Sequence, residues 1–271
     1  MNESKIHSTA MVEKGAKLGE GCVVGPGAIV GGEVELGAGC VVGPRAVLEG
    51  RIKMGAKNKI GVGVVIGGEP QDAAYAGAKS GVEVGEGNVF REYVTVHRGT
   101  KEGSSTVIGS GCFLMVGAHV AHNCRLGDGV TLVNGVMLAG YVEVDEKAFL
   151  GGAVVVHQFV RIGKLSMVRG QSRVGMDLPP YCMAVATNAV CGLNLVGIRR
   201  AGVGVEERKA LERVYEEFFF GGKNRTQALE LIRGGKDAQA KEVREFCDFI
   251  EKTKRGICHG LRAGDLREEE N

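Results

Sequence analysis

Large aliphatic residues recur at every sixth position of this chain. The first run is Ile6, Val12, Leu18, Val24, Val30, Leu36, Val42, Leu48, Met54, Ile60 and Ile66. The register returns at Val84, Phe90 and Val96, then continues from Ile108 through Leu114, Val120, Leu126, Leu132, Leu138, Val144, Leu150, Val156, Ile162 and Val168 to Val174. Neither an amphipathic helix nor an alternating strand has this period. A short strand followed by a tight turn has it, and three such hexads close one coil of a prism. Each aliphatic head then points inward and stacks on the head one coil later, as Val12 on Val30 on Leu48. Four positions after each head comes a small or β-branched residue, among them Ala16, Cys22, Ala28, Val34, Cys40, Ala46 and Ile52, which fills the corner. Glycine often follows the head, as in "LGEGCV" and "VGPGAI", and serves the turns at low steric cost. About nine such coils at ~4.8 Å per rung make a prism roughly 40 Å long, with a continuous apolar column inside.

The period breaks twice. Two hexads are missing in "GGEPQDAAYAGAKSGVE", between Ile66 and Val84, and one in "HRGTKEGSST", between Val96 and Ile108. The first break lacks inward aliphatics at 72 and 78 and is read as a loop protruding from the prism, near 67–83. The second is either a loop or a degenerate side. After Val174 the prolines of "DLPPY" mark a change of direction, and beyond about residue 200 the period turns helical. "VEERKALERVYEEFFF" puts Leu211, Val214, Tyr215 and Phe218 on one face; "TQALELIRGG", with Thr226 as N-cap, and "AQAKEVREFCDFIEKTKRG" read as two more helices. The tail "AGDLREEEN" reads as polar and loose. The chain divides into a mainly β domain over 1–190, a parallel β-helix of hexapeptide repeats, and a small α-helical domain over 191–271.

A net charge of +2 gives no global reason to expect a nucleic-acid partner. No stretch approaches the ~18 apolar residues of a membrane span, and the start has no secretory pattern. The eight cysteines form no CxxC pair; Cys22, Cys40, Cys112 and Cys124 fall in the small inward slot and are packing residues rather than metal ligands. Reduced thiols point to a cytoplasmic protein. With every inward position filled, any reactive site must lie on the outer faces. His97, His119, His122 and His157 all fall off the inward register.

The hexads resemble those of the left-handed parallel β-helix acyltransferases, and the left hand is what that resemblance implies, because crossovers are generally right-handed. A closer resemblance rests on "EPQDAAYAG", "TVHRGT", "GAHVAHNC", "LAGYV", "GGAVVVHQF", "DLPPY" and "GLNLVGIRRAG", in that order. These segments are similar to those of the UDP-N-acetylglucosamine O-acyltransferases of lipid A biosynthesis, over nearly the whole chain. The resemblance implies transfer of a 3-hydroxyacyl chain from acyl carrier protein to the sugar 3-hydroxyl by a homotrimer with clefts between subunits. No cofactor or metal is implied, since the donor is the carrier's own phosphopantetheine thioester. It makes His122 the general base and the Gly140 N–H the oxyanion donor. Gln71 and Asp72 match residues holding the sugar and the acyl hydroxyl. His119, His157 and Gln158 match substrate-contacting positions, Asn194 and Arg200 residues near the uridine and phosphates, and Gly170 a position limiting acyl length. Lys164, Arg169 and Arg173 read as a local basic cluster, either a docking patch for the acidic carrier or a solvated face.

Several residues depart from that family's pattern. Asn123 follows the proposed base where an acidic residue is common, and Tyr141 stands where histidine is frequent. Ala74, Val196 and Ala201 replace basic, polar or charged residues, and Arg173 replaces a small one. These changes leave open an acceptor with a 3-amino group. Other readings are a zinc enzyme resembling the γ-class carbonic anhydrases, which needs three converging histidines, and a scaffold solenoid without catalysis. An N-acyltransferase of the same pathway normally has an N-terminal uridine-binding domain, for which a repeat starting at Ile6 leaves no room.

Overall fold

The computed structural model describes residues 4–262, and the tail read as loose, 263–271, lies outside them. The hexads form a left-handed parallel β-helix. Most sides are very short strands, sorted into sheets of twelve, nine and eight strands, named here A, B and C. The chain visits them in the order A, B, C. Paired residues are one coil apart, as in Lys5 with Val23 on sheet A and Val12 with Val30 on sheet B. Strands this short carry little pairing energy singly. The structure is held by the column of heads, almost all of them fully buried from Val24 to Val174.

Two geometric demands explain the glycines. A residue just after a head lies against the next coil: a Cβ on Gly19 would sit 2.6 Å from the Ala38 nitrogen. The residue three after a head adopts left-handed backbone, at φ +69° for Gly21 but also at +60° for Asn123, +60° for Tyr141 and +66° for Phe159. Asparagine tolerates this region; two aromatic residues there are unusual.

The slot thiols pack as expected. Cys22, Cys40, Cys112 and Cys124 are buried, and each Sγ lies 3.1–3.3 Å from a carbonyl of the next coil. Burial pushes the Cys112 thiol up to about 11 and Cys124 up to about 12, so neither is a thiolate at neutral pH. In the same column Asn58 and Asn88, both 0 % exposed, form a ladder: Asn58 Oδ1 accepts from the Asn88 side chain at 2.9 Å, and Asn88 Oδ1 from the Cys112 N–H at 2.7 Å. Each amide oxygen buried there has a donor.

Both breaks in the period fall on one edge. The first leaves sheet B after Val65–Gly68 and re-enters on sheet C at Gly81–Val84; the second leaves sheet B after Thr95–His97 and re-enters at Ser105–Ile108. Residues 69–80 and 98–104 are therefore adjacent loops at the B–C edge. Arg98 ties them together, donating to the Gly67 carbonyl at 2.7 Å, the Tyr75 hydroxyl at 3.2 Å and Glu69 Oε1 at 3.0 Å.

Past Val174 the strand Cys182–Val185 stacks on Met167–Val168, then pairs antiparallel with Ala189–Leu193. Helices follow at Leu195–Arg200 (α1), Val205–Phe220 (α2), Arg225–Gly234 (α3) and Lys241–Glu251 (α4). α2 buries Leu211, Val214 and Tyr215, and Phe218 packs on Phe246 of α4. The N-cap of α3 is Asn224 rather than Thr226: Asn224 accepts from the Gln227 N–H, and the Gln227 side chain reaches back to the Asn224 N–H. That reciprocal pair satisfies two helix-end donors, where Thr226 in the first turn would satisfy at most one. His259–Gly260 then pairs with Ala189–Val190, and Arg161 donates to the Phe249 carbonyl at 2.8 Å, so the helices are stitched to the prism.

Candidate active site

The B–C edge collects the reactive side chains. His122 leaves sheet B just after His119–Val120 and is 6 % exposed. Gly140 lies one coil on, directly over it. A Cβ built on Gly140 would fall 2.5 Å from His122 Nε2 and closer still to Cε1, so only glycine lets the imidazole lie there. No acceptor among the described residues takes the Gly140 N–H. The period of the repeat sets the proposed base and oxyanion donor one above the other, and the structure brings them into contact.

His122 Nδ1 is 3.1 Å from Asn123 Oδ1. That oxygen also accepts from the Thr100 N–H at 3.0 Å and the Thr100 hydroxyl at 2.9 Å. The Tyr141 hydroxyl lies 2.9 Å from Thr100 Oγ1; its ring meets His122 edge-on at 5.4 Å and stacks on Phe159 at 5.1 Å. The two departures from the family's pattern, Asn123 and Tyr141, are therefore joined through Thr100, a loop residue that sequence reasoning gave no role.

His119 stands on sheet B, with Nδ1 2.7 Å from Thr95 Oγ1 and its ring 4.8 Å from that of His97. Burial, reinforced by His97 and His122, pushes His119 down to about 4. Burial, then His122 and Arg98, also holds His97 below its ordinary value, and its Nδ1 is buried without a partner. Both imidazoles are neutral at pH 7. Sequence reasoning saw that His97 faces outward but assigned it no role, because the loop at 98–104 hides its place beside His119. No group of three His, Cys, Asp or Glu among the described residues is arranged to hold a metal ion.

Gln71 and Asp72 lie on the first loop, Gln71 exposed; Asp72 Oδ1 accepts from the Ala74 N–H at 2.9 Å in a local turn. His157 and Gln158 occupy the same edge further along, with His157 Nδ1 3.1 Å from the Gln158 carbonyl. Beside them a groove of about 640 Å³ is lined by Tyr141, Phe159, Arg125, Lys252 and Lys254.

Three expected residues stand elsewhere in the chain. Asn194 caps α1, its Oδ1 accepting from the Gly197 N–H at 3.0 Å and its Nδ2 donating to the Leu165 carbonyl at 2.9 Å, on the C–A edge. Arg200 ends that helix, exposed. Gly170 lies on the A–B edge, where a Cβ would meet the Gly152 carbonyl oxygen at 3.1 Å. Within one chain they do not join His122. The basic cluster read from Lys164, Arg169 and Arg173 does not form as a whole, because Lys164 lies at the C–A edge and Arg169 and Arg173 flank the A–B turn. Lys164 is ion-paired with Glu146 at 2.7 Å and Glu245 at 3.6 Å, whereas Arg173 projects from sheet B. Residues close in sequence are sent to different sides of a prism.

Comparison with known proteins gives the family. A family model described as UDP-N-acetylglucosamine O-acyltransferase, domain 2, matches residues 177–258, and one of six bacterial transferase hexapeptide repeats matches 105–140. A curated acyl-[acyl-carrier-protein]–UDP-N-acetylglucosamine O-acyltransferase from Aliarcobacter butzleri is 42% identical over 122 residues, 44% of this chain and 46% of the relative. The match thus spans about half the length of such curated relatives. Solved structures align more fully. The UDP-N-acetylglucosamine acyltransferase from Campylobacter jejuni is 32% identical with a TM-score of 0.87, covering 94% of this chain and 99% of that one. LpxA from Acinetobacter baumannii is 33% identical with a TM-score of 0.90 and the same coverage. With such identity carried over almost the full length of solved relatives, the chain belongs to the UDP-N-acetylglucosamine O-acyltransferase family.

Proposed function

We propose that this protein transfers a 3-hydroxyacyl chain from acyl carrier protein to the 3-hydroxyl of UDP-N-acetylglucosamine, the first step of lipid A biosynthesis. The observation that carries this reading is His122 lying on Gly140, with an imidazole nitrogen and an uncommitted backbone N–H at one place. His122 Nε2 takes the proton of the sugar hydroxyl as its oxygen attacks the thioester carbonyl. The Gly140 N–H receives the oxyanion. Collapse expels the phosphopantetheine thiolate, which leaves with the proton held on the imidazole. A positioned base contributes roughly 10²–10⁴ in rate, about 3–5 kcal/mol. The thioester is already activated, so the reaction asks for no cofactor.

The outer faces support a homotrimer. Sheets A and B expose Met11 (58 %), Val23 (37 %), Val41 (39 %), Met137 (50 %) and Phe149 (36 %). Sheet C instead presents Lys17, Glu35, Lys53, Glu83, Arg125, Glu143 and Arg161. Two apolar faces and one charged face fit three copies packed around the A–B edge. In that arrangement a neighbour supplies Asn194, Arg200 and Gly170 to the cleft at His122. No described helix is long and apolar enough to cross a membrane. The unpaired thiols, nearly all buried, suit the reducing cytoplasm where the carrier protein is loaded.

The test is mass spectrometry of reactions offering UDP-N-acetylglucosamine or its 3-amino analogue with 3-hydroxyacyl carrier proteins of several lengths. Transfer to the hydroxyl sugar is expected. Transfer only to the amine would overturn the acceptor assignment, and transfer to neither would overturn the reading.

A further inference from the structure

The reaction proposed above needs His122 Nε2 to carry a lone pair, and the inference drawn here rests on that reading. An isolated neutral imidazole can place its proton on either nitrogen. A carboxylate beside Nδ1 would settle the choice and stabilise the imidazolium as well, but the neighbour of Nδ1 is the amide of Asn123. An amide turned the wrong way would offer Nδ2–H to the ring, draw a lone pair onto Nδ1 and leave the proton on Nε2, where it blocks catalysis.

The geometry fixes the orientation. The Thr100 backbone N–H can only donate, and it lies 3.0 Å from the Asn123 atom that faces His122. That atom is therefore the amide oxygen, and His122 Nδ1 must be the donor to it. The Thr100 hydroxyl, 2.9 Å from the same oxygen, donates to it too, which leaves its lone pairs to accept from the Tyr141 hydroxyl at 2.9 Å. The donors thus converge on Asn123 Oδ1, from His122 on one side and from Thr100, backed by Tyr141, on the other, and every donor faces an acceptor. The backbone holds them in place. Asn123 and Tyr141 occupy equivalent left-handed positions in successive coils, the Asn123 N–H donates to Thr106 Oγ1 at 2.8 Å, and the Tyr141 N–H donates to the His122 carbonyl at 3.0 Å.

We propose that Asn123, Thr100 and Tyr141 form an uncharged relay that holds His122 as its Nδ1–H tautomer, so that Nε2 acts as base without a carboxylate partner. Asn123 is then a positioning residue, and Thr100 and Tyr141 orient it. The titratable groups facing His122 are His97 and His119 from the neighbouring sheet B strands and Tyr141 from the next coil; Arg98 acts on His97. Among the described residues no carboxylate is hydrogen-bonded or ion-paired to any of the three imidazoles. The imidazolium formed during transfer therefore has no carboxylate hydrogen-bonded to it among the described residues.

The test uses the whole protein labelled with ¹⁵N-histidine, with kcat/KM measured across pH. Wild-type His122 is expected to show the Nδ1–H tautomer at neutral pH. Asn123→Asp keeps the size and the left-handed tolerance of the residue but adds a charge. It should raise the His122 titration midpoint, and the acid limb of kcat/KM with it, by about 1 unit or more, the usual effect of an opposite charge at this range. Asn123→Gly, which removes the acceptor but suits the left-handed backbone, should admit the other tautomer, whereas Tyr141→Phe and Thr100→Val keep the Thr100 backbone N–H on Asn123 and should lower kcat more than they raise KM without changing the tautomer. An Nε2–H tautomer in the wild type, or an unmoved midpoint in Asn123→Asp, would overturn the relay. Because the spectra need no turnover, they judge the relay even if the transfer reaction itself is absent.

Discussion

Gly140→Ala is the sharpest perturbation of the site. Its new Cβ would arrive 2.5 Å from His122 Nε2, against the ~3.5–4.0 Å at which carbon rests on its neighbours. The ring must retreat by about 1 Å or rotate away, since the Gly140 backbone is fixed by its carbonyl's bond with the Phe159 N–H at 3.1 Å. Displacing a catalytic group by about 1 Å can cost on the order of 10² in rate, or about 2.7 kcal/mol of transition-state stabilisation. The stability cost should be smaller, since the obstacle is a side chain on the outer edge rather than the apolar column. Steady-state kinetics beside a thermal melt separate the two. We expect kcat/KM to fall at least about 10²-fold with Tm lowered by only a few degrees. A folded Gly140→Ala protein within threefold of wild type would refute the claim that the ring must occupy that space.

Other perturbations test other parts of the account. His119, held down to about 4 by burial, should titrate near that pH by NMR; because the unfolded residue binds its proton near the ordinary 6.5, stability to urea should rise as pH goes from about 4 to 6.5 and level off above. A flat stability curve there would mean that the ring is not buried as described. Arg98→Ala removes two bonds to the 69–80 loop and one to the Gly67 carbonyl at its base, so KM for the sugar nucleotide should rise several-fold with a smaller change in kcat; unaltered kinetics would detach the loop from the site. Gly170→Met puts a long side chain on the A–B edge and should shorten the preferred acyl chain, an effect read from product masses; an unchanged chain profile would remove its role as a ruler.

The prism was legible in the sequence because one physical constraint repeats along it: each head must face inward and meet the head one coil further on. The same arithmetic puts Gly140 over His122. It also shows why Lys164 stands apart from Arg169 and Arg173, since position 164 falls at the C–A edge and positions 169 and 173 flank the A–B turn. Two things resisted such reading. The loops at 69–80 and 98–104 carry no period, so neither the contact of Thr100 with Asn123, far apart in sequence, nor the three-way grip of Arg98 could be inferred. Local propensity misled at α3, where Thr226 and Asn224 both suit a cap; the glutamine three positions after Asn224 was the signal that favoured the earlier start. Helix α1, a short element with two exposed aliphatics, has no amphipathic pattern to find.

The central claim is that His122 is the base. The most direct measurement is the turnover of His122→Ala, with wild-type protein alongside, under saturating UDP-N-acetylglucosamine and acylated carrier protein, and with circular dichroism and light scattering to verify fold and assembly. The account predicts an intact trimer whose kcat is lower by about 10²–10⁴. Wild-type turnover from an intact His122→Ala trimer would contradict it.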